Sequence, residues 1–316
     1  MNLQQYRQLQ AERGTLEKLL ADLPADRVIE RIGLEARKQE INAALAAQPA
    51  PAREPVRAKL TFRGKPIVGS HGIFAEFGAL VVGAFSDAVT AMGASQSGAL
   101  GARGVLPGRD EYRLLITGTA PGSFGFQFEE ATVENLTLFP RESPVEPAIQ
   151  QAKVIMEASL GTDDELTEAL SETDPRALDA LRKFLDAMVK NEAVCALEFK
   201  GDVFRFADVE QLRRSLGRLG QENIHESEET LVGSFLGVLP HRRTFEFQIA
   251  ETGEVIAGKV GRNVADAATI NQVLERPATI QVHTRRVGEG RPRYVLLGYS
   301  PDAQAALNPD GGSSHE

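Results

Sequence analysis

Apolar residues at Leu3, Tyr6, Leu9, Leu16, Leu19, Leu20 and Leu23 recur at three- and four-residue steps, and beyond Pro24 the spacing resumes at Val28, Ile29, Ile32, Ala36, Ile41 and Leu45. That period marks one face of an α-helix, and proline stops a helix because it lacks the N–H and clashes with the preceding turn. Two helices in an antiparallel hairpin are therefore expected over residues 1–47. The apolar seam is narrow, so the hairpin is expected to pack on the rest of the chain or on a second copy. Residues 48–56, with Pro49, Pro51 and Pro55, read as an extended Pro/Ala linker.

Over 57–143 the period changes. Ala58 to Phe62 alternates as a strand does, Arg63-Gly64-Lys65-Pro66 turns, and Ile67-Val68 starts a second short extended piece. Ile73 to Met92 is apolar on nearly every side and predicts a buried helix, with Ser70 placed to cap it. Its length invites comparison with a membrane span, but Glu76 and Asp87 interrupt it. Tyr112 to Thr119 and the alternating Phe124, Phe126 and Phe128 form a β-hairpin about Pro121-Gly122-Ser123. From 144 to 228 the pattern is mainly helical. Asp174-Pro175 is a strong helix start, because the carboxylate accepts a free N–H and proline at the first helical position loses no bond. Val194 to Lys200 and Val203 to Phe206 make a short hairpin inside this region.

Between 229 and 300 five strands are expected: Leu231 to Leu239, Thr244 to Ile249, Val255 to Val260, Ala278 to Val287 and Tyr294 to Tyr299, with a short helix from Ala265 to Leu274. Five such strands with one interposed helix suit a small barrel-like domain, since closing a sheet removes its edges. Residues 301–316 have too little apolar content to be expected in order. The fold class is thus α+β: a helical hairpin, a mixed α/β middle and a small five-stranded β-barrel-like domain.

Composition narrows the functions. The formal net charge of -9 repels nucleic acid and anionic lipid unless a local patch reverses the sign. A lone cysteine, Cys195, cannot close an internal disulfide, and the first residues lack a basic segment followed by an apolar one, so a cytoplasmic chain off the membrane is expected. The five histidines show no pair at chelating helical spacing, and neither a metal nor a cofactor is expected.

Several constellations carry candidate chemistry. Gly69-Ser70-His71-Gly72 and Gly122-Ser123-Phe124-Gly125 are fragments of a nucleophile elbow, but both lack the upstream glycine, and Ser70 and His71 point to opposite sides of an extended segment. Lys65 with Gly69, Ser70 and Gly72, at a helix N-terminus, reads as a possible anion site. Glu198-Phe199-Lys200 on a strand matches part of a metal-dependent nuclease centre, which also needs an aspartate on an adjoining strand. Arg242 and Arg243 precede the second strand of the last domain, and Arg285, Arg286, Arg291 and Arg293 flank its final turn. If those loops converge, they offer a patch for nucleic acid or an acidic protein. The leading expectation is a non-enzymatic assembly or sensor protein, forming a homo-oligomer or docking a helical partner through the hairpin and binding an acidic partner or nucleic acid through the β domain. A nuclease at Glu198 and Lys200 and a small anionic-ligand sensor are the alternatives.

Overall fold

The computed structural model describes residues 3–24, 26–47, 54–101, 103–120, 124–131 and 142–301. Residues 48–53 of the expected linker, the Pro121-Gly122-Ser123 turn and all of the C-terminal tail after Pro301 lie outside them.

Helices α1 (Leu3–Asp22) and α2 (Val28–Ala47) pack against each other as the hairpin the spacing predicts. Arg37 pairs with Glu12 at 2.8 Å and Lys38 with Glu17 at 3.3 Å across the two helices, on their exposed side. Among the described residues, neither helix contributes to the two cores described below.

The first core lies under a five-stranded antiparallel sheet. Strand β1 (Arg57–Gly64) is followed by the small β2 (Ile67–Val68) and β3 (Gly72–Ile73) pair and by α3 (Ala75–Ser97). Next come β4 (Leu114–Thr119), β5 (Gly125–Glu130), α4 (Val145–Ala158), α5 (Asp163–Leu170), α6 (Pro175–Lys190), β6 (Ala193–Phe199), β7 (Asp202–Arg205) and α7 (Val209–Arg218). The strand order is β4-β5-β1-β6-β7, with Leu60 opposite both Phe126 and Leu197. The stretches 57–143 and 144–228 therefore form one body, because β6 completes the sheet that β1 and β5 begin. Alternation along β1 turns Ala58, Leu60 and Phe62 into the core, as strand geometry requires. There α3, packed on α4 and α6, brings Phe85 to 5.3 Å from Phe128 and 5.4 Å from Phe184 between ring centres. Helix α3 is long and apolar enough to cross a membrane by composition, but most of its apolar window is buried inside this body. Asp174 caps α6 by accepting from Arg176 N at 2.8 Å, with Pro175 in the first turn, as its sequence predicts.

The second core belongs to β8 (Ile224–Leu239), β9 (Thr244–Ile249), β10 (Val255–Val260), β11 (Pro277–Val287) and β12 (Arg293–Pro301). They pair in the order β10-β12-β11-β8-β9, and β9 pairs again with β10, so each strand has two neighbours. All the pairs are antiparallel except β10 with β12. Phe235, Phe245, Phe247, Ile280, Val282 and Leu296 fill the inside. A short 3-10 turn, Ala267–Val273, replaces the expected helix between the third and fourth strands. Strand β8 begins at Ile224, well before the Leu231 that alternation marks, so it straddles the expected boundary at 228/229. The extra stretch, His225 to Thr230, is exposed on both faces and has no apolar signal to read.

Candidate functional site

The arginines singled out in the β domain do not form one open patch. Pairing Pro277 with Ser234 and Val287 with Ile224 puts the β11–β12 turn beside the start of β8, whereas Arg242 and Arg243 follow its far end. Arg285 is buried. Its guanidinium donates to Glu226 Oε1 at 2.6 Å, to Thr173 O at 2.8 Å and to Leu170 O. Arg293 forms an ion pair with Glu168 at 3.0 Å, and Arg243 donates to the carbonyls of Val260, Gly261 and Val264. The backbone of Arg291 donates to Asp164 at 2.6 Å. Of the six, Arg242 and Arg291 are exposed, at separate places, and Arg286 is half-buried.

These contacts give most of the arginines an intramolecular role. Acidic groups of α5 and of the segment just after it supply part of these contacts and take further cations of the same chain. Asp163 holds Arg218 at 2.7 Å and accepts from Glu289 N, Glu168 takes Arg293, and Glu172 takes Lys259 at 3.6 Å. The signal lay in the acidic run Asp163-Asp164-Glu165 and Glu168, but a solvated helix start looks the same until its partner is known. A groove of about 580 Å³ is lined by Leu239, Thr244, Glu246, Lys259, Tyr294 and Glu168, among others. Its cations Lys259 and Arg293 are the two already paired with Glu172 and Glu168, so it offers no unneutralised basic group to an anion.

The nuclease constellation does not assemble. Glu198 faces Lys59 across the sheet and pairs with it at 2.8 Å. Lys200 sits in the β6–β7 turn with a left-handed backbone and reaches Glu146 instead. Asp202, the aspartate nearest in sequence, pairs with buried Lys153 at 2.5 Å, and that ammonium holds its carboxyl below the ordinary value. Among the described residues no group of three or more His, Cys, Asp or Glu is placed to hold a metal ion.

The anion turn is also displaced from a helix end. Gly69 and Ser70 lie in the turn between β2 and β3, Gly72 opens β3, and α3 begins only at Ala75, capped by Phe74 with no side-chain bond. Ser70 is therefore not the cap, and Lys65 is drawn to Glu192 at 2.7 Å. Cys195 is buried and its thiol is pushed up to about 12 by desolvation, so it is inert as a nucleophile.

The hairpin retains an uncovered surface. Leu16 and Ile41 are buried, but Leu19, Val28, Ile29 and Ile32 are 50%, 57%, 87% and 61% exposed. All four lie toward the turn that joins α1 to α2. Comparison with protein-family models, with curated proteins and with solved structures finds no match.

Proposed function

We propose that the protein is a non-enzymatic assembly protein that self-associates through the turn end of its helical hairpin. The observation that carries this is the set Leu19, Val28, Ile29 and Ile32, apolar and exposed on a hairpin that among the described residues adds nothing to either core. Val28 and Ile32 are one helical turn apart and Ile29 adjoins them, so they make one patch. Contiguous apolar surface of this kind is a mark of an interaction site.

A second copy suits the patch on grounds of charge. The chain carries a net charge of -9, yet between Lys18 and Ile32 three acids, Asp22, Asp26 and Glu30, balance three bases, Lys18, Arg27 and Arg31. Two copies repel one another over most of their surface but not here, where Arg27 and Glu30 already neutralise each other at 2.8 Å within each chain. The five strands of the last part are read as a small Greek-key barrel, anchored on α5 and carried as a module by the assembly. With Arg243, Arg285 and Arg293 engaged within the chain, nucleic acid is the less favoured ligand for it.

Light scattering on the whole chain tests the reading. Wild-type protein is expected to exceed the 34.2 kDa of one chain, and the double variant Ile29→Glu, Ile32→Glu to return to the monomer mass. Both side chains are exposed, so folding should survive, which circular dichroism checks. A wild-type monomer, or a mass indifferent to the double change, rules the proposal out.

A further inference from the structure

We infer that the first half of β8 is a docking edge for an extended basic peptide, which adds to the sheet as one more strand. Strand β8 runs for 16 residues, but β9 is only 6 residues long and pairs from Gly233 onward, opposite Ile249. One further bond, Ala250 N to Val232 O, continues that side. From His225 to Leu231, β8 pairs with β11 on one side, Glu226 to Arg285 through Leu231 to Ile280, and among the described residues no strand pairs on the other. Every residue from His225 to Thr230 is exposed. Seven residues at about 3.3 Å each leave an edge of roughly 23 Å, the length of an ordinary strand. Backbone donors and acceptors along such an edge form a template for a strand from another chain.

The side chains select the partner. Glu226, Glu228 and Glu229 lie within four consecutive positions. Glu226 is held by Arg285 and Glu229 accepts from Ser227 at 2.8 Å, whereas Glu228 stands opposite His283, whose pKa is lowered by burial and by Arg285. Burial and the Arg285 guanidinium thus disfavour a charged His283, which makes it a poor partner for Glu228. Alternation sends Glu228 and Glu229 to opposite faces, so an incoming strand meets an acid on each face at neighbouring positions. Two adjacent lysines or arginines in an extended segment meet that demand. A second copy of this edge does not, since pairing β8 with itself brings the same acids together, and like charges directly opposite are destabilising. The acids thus block self-pairing while admitting a basic strand, which is specificity by repulsion as well as attraction.

The test uses the whole protein and three labelled heptapeptides. One is β-branched with two central lysines, one carries two glutamates in their place, and one keeps the lysines but alternates with proline, which cannot supply the N–H groups. The first should bind and slow amide exchange between His225 and Leu231. The glutamate peptide should not bind. The proline peptide should bind at least about tenfold more weakly, since charge alone remains to it. Glu228→Lys with Glu229→Lys should weaken the first peptide by about tenfold or more while leaving the fold intact, since both are exposed. Equal affinity of the two lysine peptides, no change in exchange at 225–231, or unaltered binding to the double variant overturns the inference.

Discussion

Replacing Arg285 by alanine is expected to cost about 2–4 kcal/mol and to loosen the C-terminal sheet from the rest of the chain. The guanidinium is 4% exposed, and Glu226, its carboxylate partner, is 33% exposed. Removing the cation leaves Glu226 able to take up water, which keeps the penalty below that of a fully buried charge. Thr173 O is worse placed, because Arg285 is its one partner among the described hydrogen bonds, whereas Leu170 O still accepts from Thr173 N at 2.9 Å. The loss therefore combines a buried carbonyl left unpaired with the contact between β11 and α5. Arg285→Lys should recover only part of it, since one ammonium cannot bridge a carboxylate and two carbonyls with the same fork. Urea unfolding gives the magnitude, and amide exchange the place: protection should fall first along α5 and the β11–β12 turn. A change under about 0.5 kcal/mol, the range of ordinary surface substitutions, would falsify the anchoring role.

That anchor marks where reading by pattern stopped. Alternation and helical spacing located nearly every element with an apolar face, including α3, whose all-round apolarity suits a helix packed between a sheet and two other helices. The same rule missed His225 to Thr230, because a strand exposed on both faces carries no apolar alternation. That one sheet joins 57–143 to 144–228 is hidden for a different reason. Strand β6 pairs with β1 across well over a hundred residues of chain, and nothing local to either announces the other.

The candidate sites fared according to how much they depended on partners. Glu198, Lys200, Lys65 and most of the β-domain arginines are charged groups at turns or on half-exposed strands, which the sequence marks without their partners. Their partners come from distant parts of the chain: Lys59, Glu146 and Glu192 for the first three, and Glu226, Glu168 and backbone carbonyls for Arg285, Arg293 and Arg243. In an acidic chain a cation finds an intramolecular partner easily. The hairpin differs because its uncovered groups are apolar, and no charge pairing can satisfy them.

Gly125 is required by the close approach of two strands. In sequence it closes Gly122-Ser123-Phe124-Gly125, a partial nucleophile elbow, yet it opens β5 opposite Thr61 with no left-handed backbone. A Cβ placed there would lie 2.2 Å from Leu60 O and 2.5 Å from the Cα of Thr61. Both atoms are main chain of the central strand, so relief requires β1 to move. Leu60 and Phe62 on that strand are fully buried, and shifting them disturbs the core between the sheet and the helices. Alanine should gain at most about 1 kcal/mol from the reduced freedom of the unfolded chain. Overpacking against rigid backbone costs about 1–3 kcal/mol and occasionally more, so Gly125→Ala is expected to lose about 2 kcal/mol net. Gly118, on the neighbouring β4, is the control, because its added Cβ would meet nothing nearer than Gln127 Cβ at 4.0 Å. Thermal unfolding should therefore show Gly118→Ala close to wild type and Gly125→Ala several degrees lower, by about 2–4 °C per kcal/mol for a chain of this size or somewhat less. Equal melting temperatures for the two variants would mean that β1 and β5 can separate at little cost, and the close approach at Leu60 would no longer account for the glycine.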